Sequence, residues 1–575
     1  MRISNHGPVP TLFRLFGLVL VGIILLTAAP PAHGQQTDTT QLPEIAPREI
    51  EIRGERQIAL PSLERQPLTG FTSPPSIPTV PPDHRPYTGS YDQPLEGLPE
   101  RLPVPETAST SMNPTAEPTR GYLEGGSGRY FSRFFEGRVG VPLSPRSQLS
   151  VHGAYTGMEA DPNDDVAKAD VRLTHTQDPI QIDAMAHGNV QRYALFGASP
   201  VRPSAPEDPD RESYSAGGAV QIQHTESGAP ARAEVRYDQT QYTSLLTPRT
   251  GDLTYDQQQL GIGGEATVPV PYRPHLSVQY QRSWLSNDAQ TNTAFDVDAT
   301  GTVSYSPSDP VSLEAGVTLL AFDTPARPTQ PSARSAEATF VAPAVNAEWR
   351  VAQGTRLFLR NRPRLGETSL EKLYATNPYA QHAPSLRPTL ETTNAEAGLT
   401  LTRGLVRLVA AAGYRYAPTY RYFALSAQGA YEGLHRVQYD AARFLEGRGE
   451  VALQGVDGVQ ASLGLTVQDG TLPDRDASIP NVASVTADAL LTLSFAGGDG
   501  FLKAYGEFHG PRDAGLNRSV RLDSYFSMDL EGAYAVGPDF ELVARAEQLS
   551  IDAPTRWENY PQPVAAFSVG LRLQL

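Results

Sequence analysis

The last eleven residues constrain this chain more than any other stretch. Counting back from Leu575, one face carries Leu575, Leu573, Leu571, Val569, Phe567 and Ala565, and the other carries Gln574, Arg572, Gly570, Ser568 and Ala566. A period of two belongs to a β-strand, whose successive side chains point to opposite sides. Residues 405–416 repeat it: Val406, Leu408, Ala410, Ala412, Tyr414 and Tyr416 oppose Arg407, Val409, Gly413 and Arg415. So do 526–536, where Phe526, Met528, Leu530, Tyr534 and Val536 oppose Ser527, Asp529 and Glu531. Such segments fill the chain from Arg120 onward, and none approaches the roughly 18 consecutive apolar residues of a spanning helix. A chain of this kind that enters a membrane must do so as strands.

The connections alternate as regularly as the side chains. Tight turns recur at 144–147, 176–179, 271–274, 308–310, 497–500 and 537–539. Between them lie longer polar loops near 158–166, 197–212, 244–252, 286–292, 323–335, 363–391, 470–483, 511–522 and 551–562. Short turns at one end and long loops at the other are the signature of an outer-membrane barrel. With 417–440 taken as one outer excursion, the segments from 121–128 to 563–575 number 22. That count is even, so both ends of the barrel fall in the periplasm. The expected fold is all-β: a transmembrane antiparallel up-and-down barrel over residues 119–575.

Two segments precede it. Arg2 and Arg14 flank a polar start, Leu15 to Ala29 is almost uninterrupted apolar sequence, and Ala32-His33-Gly34 follows. This reads as a cleaved secretory signal peptide over 1–34. Residues 35–118 are Pro-rich, with 16 prolines between Leu42 and Arg120. Proline removes the amide donor and fixes φ, so neither a long helix nor a central strand forms there. An extended segment results, lying in the barrel lumen or as a periplasmic tail. Its one alternating run, Glu49-Ile50-Glu51-Ile52-Arg53, is the candidate for adding to a barrel edge or meeting a periplasmic partner.

Composition removes several classes. No Cys is present, which excludes a disulfide scaffold, a Cys-ligated zinc site, a thiol nucleophile and a lipoprotein anchor. Acids outnumber bases 63 to 47, a poor balance for nucleic acid. No Ser, His and acid stand in a catalytic motif, and no Gly-rich phosphate loop or paired-His metal motif occurs, so an enzyme is not expected and no cofactor is called for. The acidic runs 159–165 and 207–212 lack the turn glycine and closing Glu of an EF-hand and read as solvated loops without a metal.

Several segments resemble the barrel of a TonB-dependent outer-membrane receptor. They are Gly121-Tyr122-Leu123-Glu124-Gly125-Gly126-Ser127-Gly128 with the following Val141-Pro142-Leu143-Ser144; Asn377-Pro378-Tyr379, Leu386-Arg387-Pro388-Thr389 and Glu396-Ala397-Gly398-Leu399; and Gly510-Pro511-Arg512, Leu522-Asp523-Ser524-Tyr525, Arg545-Ala546-Glu547-Gln548-Leu549 and Tyr560-Pro561. They run in the family's order over about 455 residues. The resemblance implies a receptor-like barrel in the cell outer membrane that takes up, exports or binds a solute or polymer. It does not extend to the family's plug: only 35–118 is available, and Glu49 to Gly54 alone resembles the opening of one. Energised import is therefore not implied. The rival expectation is a non-transporting scaffold or surface-interaction barrel sealed by its N-terminal segment.

Candidate residues follow from this reading. Arg407, Arg415, Asp529, Glu531, Glu541, Arg545, Glu547 and Arg572 fall on the lumen face, where charge pairing across strands is the ordinary role and ion selection the functional one. The 29-residue loop 363–391, with Tyr374, Asn377, Pro378, Tyr379 and His382, is the candidate surface-binding element, because long loops in compact proteins are usually functional. Tyr414, Tyr416, Tyr420, Tyr422 and Phe423 crowd one strand top and read as an interfacial belt. The final strand, with Phe567, Val569, Leu571, Leu573 and Leu575, resembles the signal read by the barrel assembly machinery, except that Leu575 stands where an aromatic is usual. The expected partners are outer-membrane lipid, that machinery and a periplasmic protein.

Overall fold

The computed structural model describes residues 121–575 except 159–163, 196–198, 201–208, 226–228, 246–252, 288–289, 309, 325–335, 382–385, 426–430, 517–519, 551–553 and 562–564. The expected signal peptide over 1–34, the Pro-rich segment 35–118 and His382 lie outside the described residues.

Twenty-two strands form one antiparallel sheet that closes on itself. They are β1 (Tyr122–Gly128), β2 (Arg133–Ser144), β3 (Ser147–Met158), β4 (Asp164–Gln177), β5 (Ile180–Ala194), β6 (Asp210–His224), β7 (Ala231–Leu245), β8 (Leu253–Thr267), β9 (Pro274–Asn287), β10 (Gln290–Ser308) and β11 (Val311–Thr324). The second half is β12 (Ala336–Ala352), β13 (Thr355–Asn361), β14 (Thr393–Arg403), β15 (Val406–Leu425), β16 (His435–Val456), β17 (Val459–Leu472), β18 (Val485–Phe495), β19 (Gly500–His509), β20 (Tyr525–Ala535), β21 (Phe540–Leu549) and β22 (Ala566–Gln574). Each pairs with its chain neighbours, and β22 returns to β1 in the register Tyr122↔Gln574 to Gly128↔Ser568. This pairing satisfies the spanning backbone within the wall, as hydrocarbon requires.

The period-two pattern sorts the side chains as expected. On β22, Phe567, Val569 and Leu571 are about half exposed toward lipid, while Arg572 points inward to ion pairs. Tyr305 and Trp349 are exposed at strand ends beside the short turns, as are Phe495 and Tyr534, which stack on each other. These aromatics suit the membrane interface.

The closing seam explains the glycines of β1. A Cβ on Gly126 would lie 2.4 Å from the Val569 carbonyl oxygen and 2.5 Å from the Phe134 ring, and one on Gly128 would lie 1.9 Å from the Phe567 carbonyl. Phe134 instead covers the Gly126–Gly570 pair, and Arg545 stacks over its ring at 4.6 Å. Glu124, with its side chain fully buried, receives Arg545 at 2.6 Å and Arg572 at 2.7 Å; Arg572 also reaches Glu541 at 2.9 Å. Glu531 stands 3.6 Å from Arg545.

β15 and β16 differ from the expected strands in length. The excursion 417–440 continues both strands into a tall hairpin, which far exceeds the 9–11 residues that a tilted strand needs to cross the bilayer. A register shift between Ala417 and Tyr420 interrupts the ladder at Pro418, a residue with no amide to donate. This bulge puts Tyr420 and Tyr422 into a packed cluster with Phe444, Leu472 and Ile479, not into the interfacial belt that Tyr414 faces.

Candidate functional site

The long loop between β13 and β14 is not a free surface element. Its feet pair with each other, Arg364 with Glu391 and Leu365 with Leu390. Glu391 is buried and binds Arg364 at 2.6 Å and Arg415 at 3.2 Å, and Arg415 reaches on to Glu446 at 2.5 Å. Leu390 and Leu365 pack on Leu320 and Phe322.

Above the feet, the chain forms the short helix α1 (Leu370–Thr376). Ser369 caps it, its hydroxyl accepting from the Lys372 amide at 3.0 Å. Leu370, Leu373 and Tyr374 share one face at helical spacing and are all buried. Gln257 on β8 accepts from the Leu370 amide at 2.6 Å, and Gln259 donates to the Thr368 carbonyl at 2.9 Å. Past the helix, the Asn377 side chain accepts from the Tyr379 amide, which fixes the turn over Pro378. The chain then bridges to His435 at the start of β16: the His435 amide donates to the Tyr379 carbonyl at 2.9 Å, and the Gln381 amide to the His435 carbonyl at 2.7 Å.

One hydrophobic cluster receives these residues. It contains Tyr193 of β5, Tyr242 of β7, Tyr255 of β8 and Leu285 of β9, then Leu370, Leu373, Tyr374, Tyr379 and Leu386 of the loop, and finally Phe423, Val437, Trp557 and Tyr560. β7 and β16 stand nine places apart in a wall of 22, so the cluster bridges the outer mouth. Tyr242 and Tyr374 have ring centroids 4.4 Å apart, and Tyr379 stacks on Tyr560 at 3.5 Å. Each fully buried large apolar side chain of this kind contributes about 1.5–3 kcal/mol. Burial pushes the hydroxyls of Tyr374, Tyr379 and Tyr560 above their ordinary range.

Charge enters the cluster at Arg211 of β6, whose side chain is fully buried. Its Nε donates to Ser244 at 2.8 Å, one terminal nitrogen donates to the Pro378 carbonyl at 2.6 Å and to the Tyr193 hydroxyl at 3.4 Å, and the other donates to the Ala380 carbonyl at 2.9 Å. The guanidinium lies 4.2 Å over the Tyr374 ring. Its neighbours in sequence, Asp210 and Glu212, are taken by Arg192 at 2.6 and 3.5 Å. At the far side, His435 in the outer extension of β16 is fully buried against Trp557. Desolvation pulls its imidazole down to about 4, against a smaller upward pull from the Glu558 backbone.

No protein-family model matches the chain, and no curated protein matches it. Solved structures do. The chain is similar to the copper transporter OprC, with 14% identity and a TM-score of 0.57 over 79% of this chain and 80% of that one. It is also similar to the ferric-catecholate import receptor Fiu of E. coli K12, with 11% identity and a TM-score of 0.59 over 79% and 81%. A third is BauA, the ferric preacinetobactin receptor of Acinetobacter baumannii, with 12% identity and a TM-score of 0.59 over 79% and 80%. The fold is that of a TonB-dependent receptor barrel. At such identities the likeness is one of fold.

In that barrel the candidate residues divide. Tyr374, Asn377, Pro378 and Tyr379 come together at the mouth; the three of them with described burial below a tenth exposure, Tyr374, Asn377 and Tyr379, turn into the packed cluster and away from solvent. Glu531, Glu541, Arg545 and Arg572 meet around Glu124, a residue that sequence reasoning passed over although it lies in the motif that opens β1. Arg415 joins Glu391 and Glu446, Asp529 accepts from the Gln548 amide, and among the described residues neither Arg407 nor Glu547 forms an ion pair with either network. Arg211 was missed as well. Its run, read as a solvated acidic loop, opens β6 in the structure, and alternation sends Arg211 to the opposite side from Asp210 and Glu212. That alternation was the available signal.

Proposed function

We propose that this protein is an outer-membrane receptor or transporter barrel that passes or binds a solute or polymer. The observation carrying this is the closed wall of 22 strands, whose lumen is too wide for its own side chains to fill. The similar structures support the reading, since they are a copper transporter, a ferric-catecholate import receptor and a ferric preacinetobactin receptor. In this reading the Pro-rich residues 35–118 lie in the lumen or contact a periplasmic partner, after export by the signal peptide 1–34. The final strand carries the assembly signal, and the paired lumen charges keep the wall wet.

The packed mouth favours a second reading, a barrel that is sealed and serves as a scaffold or surface-interaction protein. Planar-bilayer conductance separates the two. A channel or transporter conducts once residues 35–118 and the loop 363–391 are both removed, whereas a sealed scaffold is silent with and without them. Silence after both removals rejects transport through the lumen.

A further inference from the structure

We infer that residues 366–381 are a lid closing the outer mouth of the resting barrel, and that Arg211 is its latch. The lid deepens the transport reading and rests on it for its purpose. Its existence is testable without conductance, so either idea fails alone.

The argument starts from the cost of burying a guanidinium. An isolated charge removed from water is expensive unless it is paired and hydrogen-bonded. Among the described residues Arg211 has no carboxylate in ion-pair contact. Its partners are two hydroxyls and two main-chain carbonyls, and both carbonyls, of Pro378 and Ala380, belong to the lid. The cation is therefore fully solvated by protein dipoles only while the lid is seated. The carboxylates that flank it in sequence are held by Arg192 and give it no alternative partner. This differs from the seam, where Arg545 and Arg572 share buried Glu124.

The rest of the lid is attached in ways that allow release. Its feet are fixed by the Arg364–Glu391–Arg415 ion pairs. Beyond them it meets the wall through the hydrogen bonds with Gln257 and Gln259, two main-chain bonds to His435 of β16, the packing of Tyr374 on Tyr242 and of Tyr379 on Tyr560, and the latch. With the lid lifted, Arg211 regains water and stands on the inner wall beside Tyr193, Tyr242 and Ser244.

The chain contains no cysteine, so one introduced thiol reports cleanly. Ser213 on β6 is 3% exposed, stands two residues from Arg211 on the same face and pairs with Tyr242 of β7. The experiment compares the labelling rate of the full-length Ser213→Cys barrel by a hydrophilic maleimide with that of the same barrel carrying Arg211→Ala, Arg211→Lys or Arg192→Ala. Each variant is first shown to be folded by heat-modifiable gel migration. Slow labelling with Arg211 present is expected, together with acceleration on the order of tenfold or more in Arg211→Ala, because several charge-assisted hydrogen bonds are lost at once. Arg211→Lys keeps the charge without the fork and accelerates labelling too. Arg192→Ala leaves the rate unchanged. Equal rates in folded Arg211 variants, equal acceleration by Arg192→Ala, or failure of both Arg211 variants to fold would overturn the latch.

Discussion

The seam and the mouth solve the same problem, a charge withdrawn from water, in opposite ways. At the seam, Arg545 and Arg572 converge on Glu124 and its neighbours, and a phenylalanine ring fills the space over two glycines. At the mouth, Arg211 is wrapped by tyrosines and by carbonyls of a loop that packs against the inner wall. Mutually paired charges hold their place whatever the loops do. A charge satisfied by a loop ties its own solvation to that loop's position. The first arrangement suits a wall that stays closed, and the second a cover that moves.

The contrast can be broken most severely at the seam. Gly126→Val places side-chain atoms against the Val569 carbonyl and the Phe134 ring, so β1 and β22 cannot pair and heat-modifiable, folded barrel should be absent. Glu124→Ala leaves two partly buried arginines short of their shared, fully buried partner and should cost about 3 kcal/mol in a urea-unfolding series. Survival of either variant at wild-type stability would end the account of the seam as a lock.

Acid should sharpen the comparison from the other side. The folded lid favours neutral His435, so this contribution is present in full above the unfolded value near 6.5 and is lost as pH falls toward about 4. The loss is roughly 3 kcal/mol, read as faster hydrogen exchange in α1 with the β1–β22 amides unaffected. His435→Phe should flatten that profile, and an unchanged profile would exclude His435 as its source. The smallest effect belongs to the exposed Arg448–Glu396 pair on the wall: Arg448→Ala should change stability by less than about 1 kcal/mol. A larger loss there would show that wall ion pairs act as one network.

Particular residues show what could be read in advance. Alternation on β22 placed Phe567, Val569 and Leu571 toward lipid and Arg572 inward, because a strand's facing is a local property repeated every second residue. The same logic located both strands at nearly every turn. It failed at Tyr420 and Tyr422, where a bulge at Pro418 resets the parity. It also failed for the 363–391 loop, whose tyrosines look like surface recognition residues until the barrel supplies an inner wall for them to pack against.

The sequence by itself therefore determined the strands, their number, their facing and the division into short and long ends, since each depends on neighbours two to a few residues apart. Only the tertiary structure decided that Glu124 meets Arg572 across a chain separation of 448 residues, and that Arg211 finds the carbonyls of Pro378 and Ala380. Closing the sheet on itself brings such groups together. No local period records which side chains a closed wall will place face to face.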